Sequence, residues 1–273
     1  MSLPPLPAVL VFAGTDPTGG AGLQADVLTL SSLGCHALSV VTAVTVQDTV
    51  GVDDYLPLDA EWIADQARGV LEDMPVAAIK IGMVGSVEAV ATIAEVVSDY
   101  PDIPLVLDPV LTSGRGDPLA NEELIEALRD LLLPQTTILT PNSIEARRLA
   151  EDLDEENDDP TLDECARRLL DLGCEYVLIT GAHEQGAQVV NTLHGDGGVV
   201  NRLQWDRLQG SYHGSGCTLA SAVAALLAQG QDMADAVKEA QEYTYQTLKN
   251  AYRPGMGQYI PDRLYWVRGD DEE

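Results

Sequence analysis

Apolar positions in this chain fall into short continuous runs, separated by longer stretches in which they recur every three to four residues. The continuous runs predict β-strands at 8–14 (AVLVFAG), 36–47 (HALSVVTAVTVQ), 76–84 (VAAIKIGMV), 104–111 (PLVLDPVL), 136–141 (TTILTP) and 176–182 (YVLITGA). The intervening stretches predict helices near 20–33, 59–73, 86–99, 121–133, 143–153 and 161–172. Strands with continuous apolar runs, alternating with helices, argue for a mainly parallel sheet covered on both faces. Residues 187–208 read instead as a β hairpin around HGDGG, at one edge of the sheet. Two further helices, about 216–229 and 233–250, precede a short terminal segment. No internal repeat or long linker divides the chain, so a single domain over 1–273 is expected. The acidic stretch 151–159 (EDLDEENDD) reads as a solvated loop between helices, and the tail 269–273 (GDDEE) as frayed.

Composition changes the picture in one respect. At 273 residues, 45% hydrophobic and 22% charged, the chain is an ordinary globular one. Its charge balance is not ordinary: 15 Lys and Arg against 44 Asp and Glu leave −29. Such a surface repels nucleic-acid phosphates and anionic membranes, so neither is expected as a partner. The regular apolar segments exclude a disordered acidic protein. Adaptation to a salt-rich cytoplasm is the expectation instead, because salt screens carboxylate repulsion to a few ångströms. The four cysteines, Cys35, Cys165, Cys174 and Cys217, show no CxxC spacing, so zinc is not expected. No secretory signal precedes residue 8 and no apolar run reaches 18 residues, which points to a reducing cytoplasm.

In an open parallel sheet, ligands bind beyond the carboxyl ends of the strands. Every distinctive polar cluster here falls at such an end: GTDPTGGAG after the first strand, Gln47 after the second, Gly82-Met83 after the third, Asp108-Pro109 after the fourth and Thr140-Pro141-Asn142 after the fifth. The most specific cluster is His213-Gly214-Ser215-Gly216-Cys217-Thr218, which opens the helix LASAVAALLA. Glycines let consecutive N–H groups converge on an anion, and the helix N-terminus adds about half a positive charge. Gly214, Ser215 and Gly216 could thus form an anion hole for a transferring phosphoryl group; the simpler reading is a Gly-rich cap with Ser215 or Thr218 as capping residue. Cys217, on the first helical turn, is expected to have a lowered thiol pKa and could act as a base toward a substrate hydroxyl. The competing reading is an inert, half-buried thiol. No GxxxxGK[ST] motif is present, which excludes a P-loop kinase.

Two other groups carry candidate chemistry. The segment 14–26 (GTDPTGGAGLQAD) is a strand–loop–helix crossover whose glycines permit close approach of a ligand, and Asp16 and Asp26 in it read either as ligand contacts or as solvent-exposed caps. Asp108, Asn142 and Glu145 lie at adjacent strand ends and could hold a hydrated Mg²⁺, which prefers one or two carboxylates plus phosphate oxygens. Glu145 could equally be a first-turn helix acid favoured by the dipole.

Taken in order, GTDPTGGAGLQAD, VTAVTVQDTVGV, KIGMVGS with LDPVL, TPNSIEA and HGSGCTLASA resemble the hydroxymethylpyrimidine and phosphomethylpyrimidine kinases, over about residues 8–230. The resemblance implies a three-layer α/β/α ribokinase-like fold and ATP-dependent phosphorylation of hydroxymethylpyrimidine, and of its monophosphate, in thiamine biosynthesis. It implies Cys217 as base, in place of the aspartate usual in the superfamily, with the Gly214–Cys217 amides around the phosphoryl group. Gln47 would read the aminopyrimidine edge, Asp26 would accept a hydrogen bond from the substrate, Met83 with the loop near Ala21 would pack on the ring, and Asp16 would also belong to the substrate site. Asp108 and Glu145 would hold Mg²⁺, with Asn142, Glu145, Thr180 and Thr218 at the ATP phosphates. Thr180 departs from the pattern: many relatives carry a lysine there, and a hydroxyl supplies no charge. A pyridoxal or pyridoxine kinase is the nearest alternative, and a non-catalytic pyrimidine sensor a more distant one. A homodimer is one assembly open to such a chain.

Overall fold

The structure is a computed structural model and describes residues 6–113, 116, 118–151 and 159–267. Nine strands form one sheet in the order β3-β2-β1-β4-β5-β6-β7-β8-β9. They are β1 (Ala8–Thr15), β2 (His36–Gln47), β3 (Val52–Pro57), β4 (Val76–Ile81), β5 (Leu105–Leu107), β6 (Ile138–Leu139), β7 (Tyr176–Thr180), β8 (Gln188–Gly195) and β9 (Gly198–Asp206). From β2 through β7 neighbouring strands run parallel, while β3 pairs antiparallel with β2, and β8 and β9 extend the far edge antiparallel.

Central strand β1 shows how the apolar runs build this sheet. Its period-two alternation sends Val9, Val11 and Ala13 to one face and Leu10 and Phe12 to the other, and all five are buried. The first face packs on helices α1 (Gly22–Ser32), α7 (Ser215–Ala228) and α8 (Met233–Lys249). The second packs on α2 (Ala60–Leu71), α3 (Val87–Ser98), α4 (Glu122–Ala127), α5 (Ser143–Leu149) and α6 (Leu162–Asp171). A strand enclosed on both sides needs a continuous apolar sequence, and β1 has one.

Several boundaries differ from the sequence expectation, each for a local reason. The fourth predicted strand is only Leu105–Leu107, because Pro109 has no N–H to continue the ladder and the chain turns out at Asp108. The helix expected over 121–133 is α4 followed by a π-turn, Leu128–Leu132, and a 3₁₀ turn, Leu133–Gln135, where Pro134 breaks the α-helical bonding. Strand β3 was not expected: its sequence VDDYLP has two aspartates and exposed alternate positions, the composition of a charged edge strand. The expected loop 151–159 lies mostly, and the tail 269–273 entirely, outside the described residues.

The terminal segment is more than a tail. After α8 it forms isolated bridges from Tyr252 to Ile260 and from Tyr259 to Tyr212, and Ile260 through Arg263 are buried. Gly257 sits against the β2–β3 turn so closely that a Cβ there would meet the Thr49 carbonyl oxygen at 1.8 Å, and its N–H donates to Thr49 Oγ1 at 3.0 Å.

Candidate active site

A cavity of about 750 Å³ opens beyond the carboxyl ends of the strands. Among the residues named from sequence, it is lined by Ala21, Gln47, Met83, Asp108, Asn142, Glu145, Thr180, Gly214, Ser215, Gly216 and Cys217. These come from seven separate segments, brought together because every parallel strand delivers its carboxyl end to the same side.

The N-terminus of α7 forms the floor. Gly214 is its N-cap, with φ +85°, in the left-handed region that glycine adopts without strain. A Cβ there would lie 1.9 Å from the Gly20 carbonyl oxygen, so the β1–α1 loop can approach only glycine. The Gly214 carbonyl accepts from Thr218 N at 3.0 Å and Thr218 Oγ1 at 2.7 Å. In a trans peptide the N–H points opposite to the C=O, which turns the Ser215 N–H away from the helix body. Free first-turn N–H groups at a helix start are a ready anion site.

Beneath this floor lies a buried charge cluster. Lys80, fully buried, donates to Asp26 Oδ1 and Oδ2 at 3.0 and 3.1 Å, and Ser221 Oγ donates to Asp26 Oδ1 at 2.7 Å. Burial alone would push the Lys80 ammonium down, but Asp26, Cys217 and Asp108 together hold it well above the ordinary lysine value. The Cys217 thiol is pushed up to about 12 by burial, which outweighs the nearby Lys80 charge; Asp26 and Asp108 push the same way. The lowered thiol pKa expected from the helix dipole is therefore corrected: desolvation disfavours the thiolate and raises the thiol instead.

Three sequence-named residues do not line the cavity. Asp26 was expected to accept from a ligand, yet it is fully buried and its oxygens are engaged by Lys80 and Ser221. Asp16, named for the substrate site, is also fully buried, neither lining the cavity nor an exposed cap. It accepts from Ala21 N at 2.7 Å and Thr18 N at 2.8 Å, and lies 2.9 Å from His213 Nε2. Burial raises its pKa, but the His213 hydrogen bond and the two amides outweigh that and hold it below the usual carboxylate value. Thr218 was expected at the ATP phosphates; its hydroxyl points back to Gly214 O and accepts from Arg263 Nε at 3.0 Å.

At the next strand ends, Asp108 is raised to about 6 and Glu145 to about 8, both chiefly by burial. The next cause for Asp108 is Lys80, which lowers it, and for Glu145 it is Asp108, which raises it. Among the described residues, Asp108 Oδ2 is buried without a hydrogen-bond partner. An orphaned carboxylate oxygen facing a cavity, beside a second carboxylate, suits a hydrated divalent cation that also binds phosphate oxygens. Glu145 closes a capping box on α5, its Oε2 accepting from Asn142 N at 2.9 Å while Asn142 Oδ1 accepts from Ile144 N and Glu145 N. Glu145 thus acts as the first-turn helix acid of α5 and also lines the cavity.

At the opposite wall, Gln47 Nε2 donates to Thr45 Oγ1 at 2.7 Å, and that hydroxyl donates to Thr15 O at 2.7 Å. The amide is thereby oriented, with its carbonyl oxygen and second N–H left for a ligand. Met83 lies near Gly14, and its carbonyl accepts from Thr42 Oγ1 at 2.5 Å. Thr180 lines the cavity beside Arg207, whose guanidinium donates to the Ala182, Glu184 and Gly186 carbonyls.

Sequence reasoning missed Lys80, Arg207 and Arg263. Lys80 had a usable signal, a lysine inside an apolar strand, since a charge there needs a buried partner. Arg207 and Arg263 had none, being single arginines in irregular segments.

The comparisons with known proteins agree with this geometry. A family model for phosphomethylpyrimidine kinase matches residues 16–262. The chain is 42% identical over 253 residues to a hydroxymethylpyrimidine/phosphomethylpyrimidine kinase of Streptomyces coelicolor, covering 92% of each. A solved phosphomethylpyrimidine kinase of Clostridium difficile superposes with TM-score 0.74 at 35% identity, over 89% of this chain and 99% of that one. A Staphylococcus aureus pyridoxal kinase, solved with AMP-PCP and pyridoxal, superposes with TM-score 0.84 at 29% identity, over 96% and 95%. The fold is therefore the ribokinase-like α/β/α fold, and the chain belongs to the phosphomethylpyrimidine kinase family.

Proposed function

We propose that this protein transfers the γ-phosphoryl group of ATP to the hydroxymethyl group of 4-amino-5-hydroxymethyl-2-methylpyrimidine, and then to the resulting monophosphate. The observation that carries this reading is the joint placement, in one cavity, of an oriented amide at Gln47 and a thiol at the N-terminus of α7. Gln47 offers an acceptor to the exocyclic amine and a donor to a ring nitrogen. The N–H groups of 215–217 receive the transferring phosphoryl group, whose charge lies on its equatorial oxygens. Cys217 accepts the proton of the attacking hydroxyl. Because its thiol is raised to about 12, only the deprotonated fraction is competent, and the adjacent Lys80 favours that fraction. Asp108 and Glu145 would hold a hydrated Mg²⁺, which supplies neutralisation of the nucleotide phosphates.

The likeness to a pyridoxal kinase solved with pyridoxal supports a second reading, in which pyridoxal is also accepted. A non-catalytic sensor would tolerate a damaged phosphoryl site, and the presence of Gly214, Cys217 and Lys80 in the lining of one cavity favours the kinase reading over it. Incubation with ATP, Mg²⁺ and each alcohol, followed by mass spectrometry, tests the proposal. Mono- and diphosphates of the pyrimidine are expected. Phosphorylated pyridoxal with no pyrimidine product would replace the first reading by the second.

A further inference from the structure

Arg263 is a buried cation, 3% exposed, that neither the motifs nor the proposed mechanism use. Its guanidinium reaches three neutral acceptors around the phosphoryl site: Gly20 O at 2.6 Å, Thr218 Oγ1 at 3.0 Å and Gly214 O at 3.4 Å. Among the described residues it forms no ion pair with a carboxylate. Burying a charge without a counter-ion is unfavourable by several kcal/mol in general. Burial accordingly pushes this guanidinium below the ordinary arginine value. A neutral amide could donate to the same carbonyls without that penalty. The field of Asp26 reaches Arg263 without contact, and that carboxylate is already paired with Lys80, so a charge retained at this spot points to a further counter-charge that arrives with a ligand.

The geometry says where that ligand lies. Gly20 belongs to the β1–α1 loop and Gly214 to the N-cap of α7, two segments in contact across the floor of the cavity. Their carbonyls point at Arg263, so the peptide units they belong to are polarised by the cation, including the one that presents the Ser215 N–H. The opposite face of that unit is where a phosphoryl group would sit. Among the described residues, Lys80 at this cavity is paired with Asp26, and Arg207, also held by carbonyls, is only partly buried and keeps access to solvent. Thr180 supplies no charge.

We propose that Arg263 is a positioning residue of phosphoryl transfer, whose charge, relayed through the Gly20 and Gly214 peptides, completes the anion hole at the N-terminus of α7. It touches neither substrate nor nucleotide. The inference rests on the kinase reading above, and the experiment separates the two. Steady-state kinetics with ATP, Mg²⁺ and hydroxymethylpyrimidine are compared for the unaltered chain, Arg263→Gln and Arg263→Lys, each checked by thermal melting. Arg263→Gln should lower kcat by about 10²-fold, the scale of losing one oxyanion-hole donor, with both KM values within about threefold. Arg263→Lys, which keeps the charge but not the fork, should recover kcat to within about tenfold of the unaltered chain. A purely structural arginine predicts a lower melting temperature with kcat per folded molecule unchanged. Folded Arg263→Gln with kcat within threefold of the unaltered chain overturns the proposal, as does Arg263→Lys as slow as Arg263→Gln. If Arg263→Gln does not fold, Arg263→Lys decides alone: kcat within about tenfold supports the role of charge, and a greater loss overturns it. Absence of any turnover by the unaltered chain removes the kinase reading and this inference together.

Discussion

The two ends of the cavity are built differently. At the transfer end, around Gly214–Cys217, the supporting groups are buried charges: Lys80 on Asp26, Asp16 on His213, and Arg263 under the loop carbonyls. At the recognition end, Gln47 closes β2 where that strand pairs only with β3, and one side of this ribbon is open to solvent; Val46 and Leu56 are 60% and 67% accessible. That ribbon is held at its tip by neutral hydrogen bonds, Gly257 N to Thr49 Oγ1 and Gln258 N to Thr49 O. The difference follows from the chemistry. Stabilising a charged transition state requires fixed charges in a low dielectric, and those need internal partners. Reading a neutral ring needs only one oriented amide.

The largest expected effect falls on the transfer end. Cys217→Ser should lower kcat by about 10²–10⁴-fold with nucleotide affinity nearly intact, since a hydroxyl is too weak a base. Because the thiol is raised and its deprotonated form is the active one, kcat/KM for the pyrimidine should climb as pH rises from 7 to 9 without reaching a plateau. The ratio to the Ser variant isolates this thiol from other titrating groups. A ratio that is flat with pH, or a fully active Ser variant, would remove the base role.

Next comes the charge pair beneath. Lys80→Met leaves Asp26 buried without its cation and should destabilise the fold by about 3–5 kcal/mol in denaturant titration. The double variant Asp26→Leu/Lys80→Met should regain most of that stability while remaining inactive. Retained activity in a stable double variant would mean that the pair serves the fold and not Cys217.

At the recognition end the effect should be smaller and confined to binding. Gln47→Ala should weaken pyrimidine binding by about 1–3 kcal/mol, read as KM, and leave the KM for ATP unchanged. An unaltered pyrimidine KM would exclude Gln47 as the reader.

The smallest effect separates both ends from the surface. With a net charge of −29, the melting temperature should fall as salt drops below about 0.5 M, because the Debye length lengthens from about 3 Å at 1 M to about 10 Å at 0.1 M. The pH dependence assigned to Cys217 should stay put, since buried charges are poorly screened. A flat melting temperature would argue against adaptation to salt.

Much of this molecule was legible in the chain. The strand over 36–47 and the hairpin at 187–208 follow from apolar runs and turn residues, and period-two and period-3.6 patterns report which face is buried. Parallel strands then carry every motif at a carboxyl end to one side, so the sequence by itself located the cavity and eleven of its lining residues. What it did not determine is which group meets which. Asp26 and Lys80 are 54 residues apart, and Arg263 and Gly20 are 243 apart. Periodicity names a face but not a partner, so Asp26 read as a ligand contact or an exposed cap, and the stretch after the last helix as a short terminal segment with no assigned contacts. The Cys217 pKa depends on the same missing information: the helix start is visible in sequence and argues for a thiolate, whereas desolvation is a property of the packed site. Only the tertiary structure shows that burial, and with it a raised thiol.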